Sequence, residues 1–229
     1  MNPRWLAVPV LVLVSSLAAC RSAGNDAKAE SSTASTTSAN AAGGQKARRA
    51  PVGTDPGGVG AGTKLEPRPG HELAAFAGGC FWGTEDTFRQ VPGVTATAVG
   101  YTGGQTSNPT YEQVSSHKTG HAETVLVEFD PAQVSYEKLL GVFFTSHDPT
   151  TMNRQGPDVG SQYRSAVFTF NDAQANAAKA AIANTEKTLG KHVVTQVTAA
   201  GPFWKAEEYH QQYDEKTGTH SCPLPSRGT

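Results

Sequence analysis

The sequence predicts a mixed α/β domain of the α+β kind: a two-layer sandwich in which a central mixed sheet is flanked by helices. Two observations carry this. Short β-branched or alternating runs interleave with helical patterns beyond residue 70. All nine Phe and all six Tyr residues also lie beyond that point, so the core belongs to a stretch of about 160 residues, a size that suits one compact domain.

Residues 1–19 read as a secretory leader, with Arg4 as the positive start, an apolar run from Leu6 to Val14, and small residues before Cys20. Residues 20–70 lack Phe, Trp and Tyr after the leader and are rich in Ala, Ser, Thr, Gly and Pro. Such a segment buries too little apolar surface to offset its ordering entropy, so it reads as a flexible linker. The domain proper is expected over 71–229.

Within it, "ELAAFAGG" (72–79) is an apolar run ending in two glycines, a buried strand that stops at a turn. A helix is expected from Thr84, which can cap it, with Glu85 and Asp86 in its first turn. "GVTATAVGY" (93–101) reads as a β-branched strand, and "ETVLVEF" (123–129) alternates Val125, Val127 and Phe129 on one face. Behind Ser135 as cap, Tyr136, Leu139, Leu140, Phe143 and His147 follow helical spacing. "SAVFTF" (165–170) is a strand. The alanine-rich stretch after it is a helix between Asn171 or Asp172 and Gly190, and "HVVTQVTAA" (192–200) is a last strand.

A formal charge of −1 argues against a nucleic-acid partner, because binding phosphates needs a basic surface. The three cysteines are Cys20, Cys80 and Cys222. Cys80 stands in "GGCFWGTEDTF", between glycines and two large rings. It can be a core cysteine, a metal ligand, or a nucleophile at a strand-to-helix junction, where backbone N–H groups favour a thiolate. Metal binding is the weakest of these, for there is no Cys-x-x-Cys pair, and His121 with Glu123 or His220 with Cys222 are spacings common by chance.

The ordered set "GGCFWGTEDTFRQVPGV", "GYTGG", "NPTYEQV", "TGHAETV", "HDPTTMNRQGPDVGSQYRSA" and "EEYHQQY" resembles the A-type peptide methionine sulfoxide reductases over 72–222. The ending "LAAC" likewise resembles the lipobox of bacterial lipoproteins, which would make Cys20 the lipidated first residue of an extracytoplasmic, membrane-anchored chain. The family resemblance implies that Cys80 is the nucleophile, Glu123 the acid, Tyr111 and Tyr163 hydroxyl donors, and Asp148 a supporting polar residue. Phe81 and Trp82 would receive the S-methyl group of the substrate. It further implies preference for the S epimer, a Cys80 sulfenic acid, and a Cys80–Cys222 disulfide recycled by an external thioredoxin-like or dithiol reductant. The implied partners are oxidised proteins or peptides and that reductant, with no bound cofactor or metal and a monomeric chain. The role of His210, within "EEYHQQY", is not derivable from the sequence.

Overall fold

The computed structural model describes residues 55–56 and 65–221. The expected leader, Cys20 and Cys222 lie outside the described residues.

Strand β1 (Glu72–Gly78) leads through Gly79 and Cys80 into helix α1 (Phe81–Arg89). The helix therefore starts three residues before Thr84, with Cys80 at its N-cap position. Thr84 turns its hydroxyl back to the carbonyl of Cys80 (3.0 Å) instead of capping. This correction has a local cause: Gly79 takes φ +103°, and a β-carbon there would meet the Gln155 side chain at 2.6 Å. That glycine-only turn aims the chain into a helix immediately after Cys80.

Strand β2 (Val94–Thr102) follows, then the short helix α2 (Tyr111–Ser115), where Thr110 and Gln113 form a capping box. Strand β3 (Ala122–Phe129) has every residue buried. It has no solvated face, because it lies inside the sheet and both of its faces are covered. Helix α3 (Tyr136–Ser146) starts at Ser135, whose hydroxyl accepts from the Lys138 N–H. It stops before His147, which is extended.

A two-residue hairpin, β4 (Arg154–Gln155) with β5 (Asp158–Val159), precedes the 3-10 turn Ser161–Tyr163 and strand β6 (Ser165–Thr169). Helix α4 (Asp172–Leu189) is capped by Asn171 and closed by left-handed Gly190. Strand β7 (Gln196–Ala199) is shorter than the apolar run before it. Strand β8 (Trp204–Lys205) and helix α5 (Tyr213–Thr217) complete the chain.

The main sheet runs β7-β6-β1-β3-β2-β8. It is mixed: β6 and β7 pair in parallel across α4, and all other neighbours are antiparallel. Residues of α1, α3 and α4 join one face of the sheet in the larger apolar cluster, where Phe76 stacks on Phe88 at 4.7 Å. Leu73, Leu126 and Phe168 form a smaller cluster on the other face, covered by Phe203 and Leu65. The helices therefore form one layer and the sheet the other.

Candidate active site

Three segments meet at the sheet end where β1 runs out. They are the β1–α1 turn with Cys80, the start of β3 with Glu123, and the segment from Glu207 onward.

Cys80 is half-buried at the N-terminus of a nine-residue helix. The first amide of that helix, Phe81 N–H, donates to Glu123 Oε2 at 3.1 Å, which ties the acid to the residue beside the thiol. Glu123 is 2% exposed. Burial pushes its carboxyl well above the usual carboxylate range, and negative charge at Cys80 and Asp158 pushes the same way against the Phe81 amide. The shift favours the carboxylic acid form, the form able to donate a proton.

Tyr111, at the start of α2, and Tyr163, at the end of the 3-10 turn, are both half-buried. Burial raises both phenols, and charge on Glu123 raises them further, so the two hydroxyls stay protonated and lie within the field of the same carboxyl. The structure thus brings Cys80, Glu123, Tyr111 and Tyr163 into one electrostatic neighbourhood.

Asp148 is placed differently. Its Oδ1 accepts from the N–H (2.9 Å) and the hydroxyl (2.6 Å) of Thr150, within its own turn. Burial pushes this carboxyl up, but the Thr150 bonds, Lys191 and His147 outweigh it and hold it below the ordinary range. It is an ionised acceptor and not a proton donor. Its traced link to the thiol runs through backbone: Gln155 clamps the Asp148 N–H (3.0 Å) and C=O (3.1 Å), while its stem packs on Gly79. His147 before it is neutral, held low at about 4 by burial, between the Phe143 carbonyl and the Ser165 hydroxyl (2.7 Å each).

The two rings after Cys80 divide their work. Phe81 is 1% exposed and belongs to the core, against Tyr101 (5.9 Å) and His210 (5.2 Å). It is buried because it opens α1 facing the sheet, so it backs the site rather than displaying a face. Trp82 is half-buried and sandwiched by neighbours: its ring stacks on Tyr213 at 4.0 Å, and its indole N–H donates to His210 Nδ1 at 3.0 Å.

That hydrogen bond supplies what the sequence left open for His210. Because Nδ1 accepts, the neutral ring carries its proton on Nε2, which is buried 3.9 Å from Glu207 Oε2. Burial lowers the imidazole against the Glu207 charge, so it is held neutral. Glu207 also accepts the Tyr101 hydroxyl (3.1 Å) and the Tyr111 N–H (2.9 Å), which fixes where α2 begins. Asp158 and Glu207 were not among the expected site residues. Asp158 sits in "GPDVG" within a quoted motif, the one signal available for it. Glu207 sits in "EEYHQQY", where nothing local distinguishes it from a surface carboxylate.

His121 is spent structurally: its Nδ1 accepts from Gly104 N–H (3.2 Å) and its Nε2 lies 2.8 Å from the Thr106 carbonyl. This accounts for its spacing to Glu123 without a metal.

The model for the family described as peptide methionine sulfoxide reductase matches residues 72–227. A peptide methionine sulfoxide reductase of Methanosarcina acetivorans is 56% identical over 154 residues, covering 66% of this chain and 82% of that protein. One from Geobacter sulfurreducens is 52% identical over 154 residues, covering 66% and 94%. Among solved structures, methionine sulfoxide reductase A of Corynebacterium diphtheriae superposes with a TM-score of 0.66 at 34% identity, over 81% of this chain and 95% of that one. Reduced Mxr1 of Saccharomyces cerevisiae gives a TM-score of 0.65 at 34% identity, over 68% and 91%.

Proposed function

This chain belongs to the peptide methionine sulfoxide reductase family, and from that premise we propose that it reduces methionine S-sulfoxide, in proteins and as the free amino acid, to methionine. The observation that carries the mechanism is the pairing of Cys80 with a buried Glu123, its carboxyl pushed well up by that burial, through the first amide of α1. The Cys80 thiolate attacks the sulfoxide sulfur, and the departing oxygen gathers negative charge. Glu123 supplies the proton, while the Tyr111 and Tyr163 hydroxyls hold the oxygen. The substrate's methyl group rests on Trp82, with Phe81 behind it; sulfur–aromatic contacts are modest but favourable. Asp148 acts at one remove, by holding the loop that carries Gln155.

The protonated oxygen then passes to the Cys80 sulfur as the transient bond between the two sulfurs breaks, leaving methionine and a Cys80 sulfenic acid. Cys222 condenses with it, releasing water and forming a disulfide, which a thioredoxin-like dithiol reduces by exchange. The last described residues before Cys222 are anchored: Asp214 accepts from the N–H and hydroxyl of Ser221 and from the hydroxyl of Thr219 (3.2 Å). The segment thus approaches Cys222 from a fixed base beside α5.

A chiral assay on free methionine sulfoxide tests the reading. The S epimer should disappear with dithiothreitol as reductant, the R epimer should persist, and Cys80→Ser should reduce neither. Loss of both epimers at equal rates, or full activity in Cys80→Ser, would refute it. With thioredoxin as reductant, Cys222→Ser should stop after one reduction per molecule.

Residues 1–19 are proposed as a lipoprotein leader and Cys20 as the anchored residue, on the ground of "LAAC" after an apolar run. The catalytic domain over 71–229 would then work outside the cytoplasm on a tether. Incorporation of a labelled fatty acid that vanishes with Cys20→Ala checks this; an unlabelled wild type contradicts it.

A further inference from the structure

Among the described residues, three large apolar side chains are strongly exposed: Met152 (61%), Val159 (61%) and Tyr209 (60%). Met152 and Val159 lie on the loop that carries Gln155, Asp158 and Tyr163, and Tyr209 packs its ring 4.0 Å from His210. Met152 is also the sole methionine after the initiator.

Two residues separate Met152 from Gln155, whose stem touches Gly79 next to the thiol. Chain geometry places Met152 within about 11 Å of Gln155, Cα to Cα. A thioether this exposed is open to peroxide and to another molecule. At 61% exposure its side chain stands in solvent, and the hydrogen bonds of its loop hold it there. The Thr151 hydroxyl bonds the Arg154 carbonyl (2.7 Å), Gly160 N–H bonds the Asn153 carbonyl (2.9 Å), and Asn153 is in the left-handed region at φ +47°. Asp148 and Thr150 close the turn on the other side. Bringing the Met152 sulfur to Cys80 in the same molecule would mean breaking that lacing.

We propose that Met152 is a modification site and a substrate of this chain's own reaction, oxidised by peroxide and reduced by a second copy. The inference rests on the reductase reading above. Peroxide transfers one oxygen atom to the Met152 sulfur and leaves as water. In the second copy the Cys80 thiolate takes that oxygen, the Met152 thioether is regenerated, and Cys80 becomes a sulfenic acid. Cys222 and the external dithiol then return it to the thiol, with water as the other product. Oxidation converts an exposed apolar side chain to a polar one on the loop that carries Gln155 and Tyr163.

The test uses full-length Cys80→Ser, labelled with nitrogen-15 and oxidised with hydrogen peroxide, as substrate; peroxide is then removed with catalase. Unlabelled wild-type protein is added in catalytic amount with dithiothreitol, and free methionine S-sulfoxide is included in the same tube. The labelled tryptic peptide 139–154 is followed by mass spectrometry. Its +16 Da form should fall to roughly half, since peroxide makes both epimers and one enzyme class reduces only one of them. Persistence of the labelled sulfoxide while the free S-sulfoxide is consumed overturns the proposal and leaves the reductase reading standing. Persistence of both overturns the reductase reading and the proposal with it. A companion experiment follows Met152 in oxidised wild-type protein on dilution. Repair that slows with dilution supports a second copy as the agent, and a concentration-independent rate overturns that part.

Discussion

Glu85 is a second buried acid, and its effect on stability can be worked out in magnitude. It is 1% exposed on α1, where it accepts from the Thr97 hydroxyl (2.9 Å) and from the Gln212 N–H (2.7 Å) and side chain (3.3 Å). Burial pushes its carboxyl from 4.5 up to about 7, against those bonds and the nearby Arg89. Tenfold in proton affinity is worth about 1.4 kcal/mol, so this rise corresponds to about 3 kcal/mol. The sign follows from which state holds the proton. Below pH 4.5 both states are protonated and nothing is lost. Between 4.5 and 7 the unfolded chain releases its proton while the folded one keeps it, so stability falls as pH rises. Above 7 the loss is complete.

Glu85→Gln keeps the shape and removes the titration. One amide N–H of the new side chain must face a donor, a cost of about 1–3 kcal/mol that does not vary with pH. Urea unfolding of wild type and variant from pH 5 to pH 8 therefore gives a difference that changes by about 2.5 kcal/mol in the variant's favour. Subtracting the two profiles removes the other groups that titrate in this range. A difference that stays level across that range would refute the reasoning. The region at stake is the joint where Gln212, at φ +50°, turns the chain into α5 and on toward Cys222.

Three further outcomes follow from the site. Glu123→Gln retains an acceptor for Phe81 N–H but has no proton to give, so single-turnover reduction should slow by about 10²–10⁴-fold. Wild-type activity should also fall as pH rises through the elevated Glu123 titration, and the variant should lose that limb. Gly79→Ala puts a β-carbon 2.6 Å from Gln155 at φ +103°, so denaturant midpoint and sulfoxide turnover should drop together; unchanged turnover would mean that the turn does not set the thiol. His210→Phe leaves the Trp82 N–H without its acceptor, costing about 1–3 kcal/mol of stability. In that variant the KM for sulfoxide should rise more than kcat falls, which steady-state kinetics with a small substrate would show.

Elements whose signals are local were legible. Ser135 and Asn171 cap their helices as their side-chain chemistry predicts, and Gly190 closes α4 in the left-handed conformation. The start of α1 was misplaced for an instructive reason. A search for hydroxyl and carboxylate caps selects Thr84, whereas the structure begins the helix with no side-chain cap, driven by the Gly79 turn. Strand β7 was overextended because Val193 is buried in the core without being in a strand, and an apolar run does not distinguish those cases. Helix α2 and strand β8 were not anticipated; five and two residues are too few to display a period.

The environment of Glu123 could not be read locally at all. A carboxylate entering a strand is ordinarily a solvated edge residue, and that inference fails here because β3 sits between β1 and β2, with every residue buried. Sheet order is a long-range property, so the burial that raises the acid comes from contacts that sequence spacing does not encode. The same holds for the C-terminal segment. Gln211 donates to the carbonyls of Val99 (2.9 Å) and Ala206 (2.8 Å) and accepts the Val99 N–H (2.9 Å), doing by side chain what a neighbouring strand would do by backbone. Glu207 holds Tyr111, His210 holds Trp82, and Gln212 holds Glu85. One run of six residues therefore fixes the hydroxyl donor, the indole and the base of the Cys222 segment together. A change in how that run docks must reach both the sulfoxide pocket and the thiol proposed to reset it, so binding and recycling defects should travel together in variants of this segment.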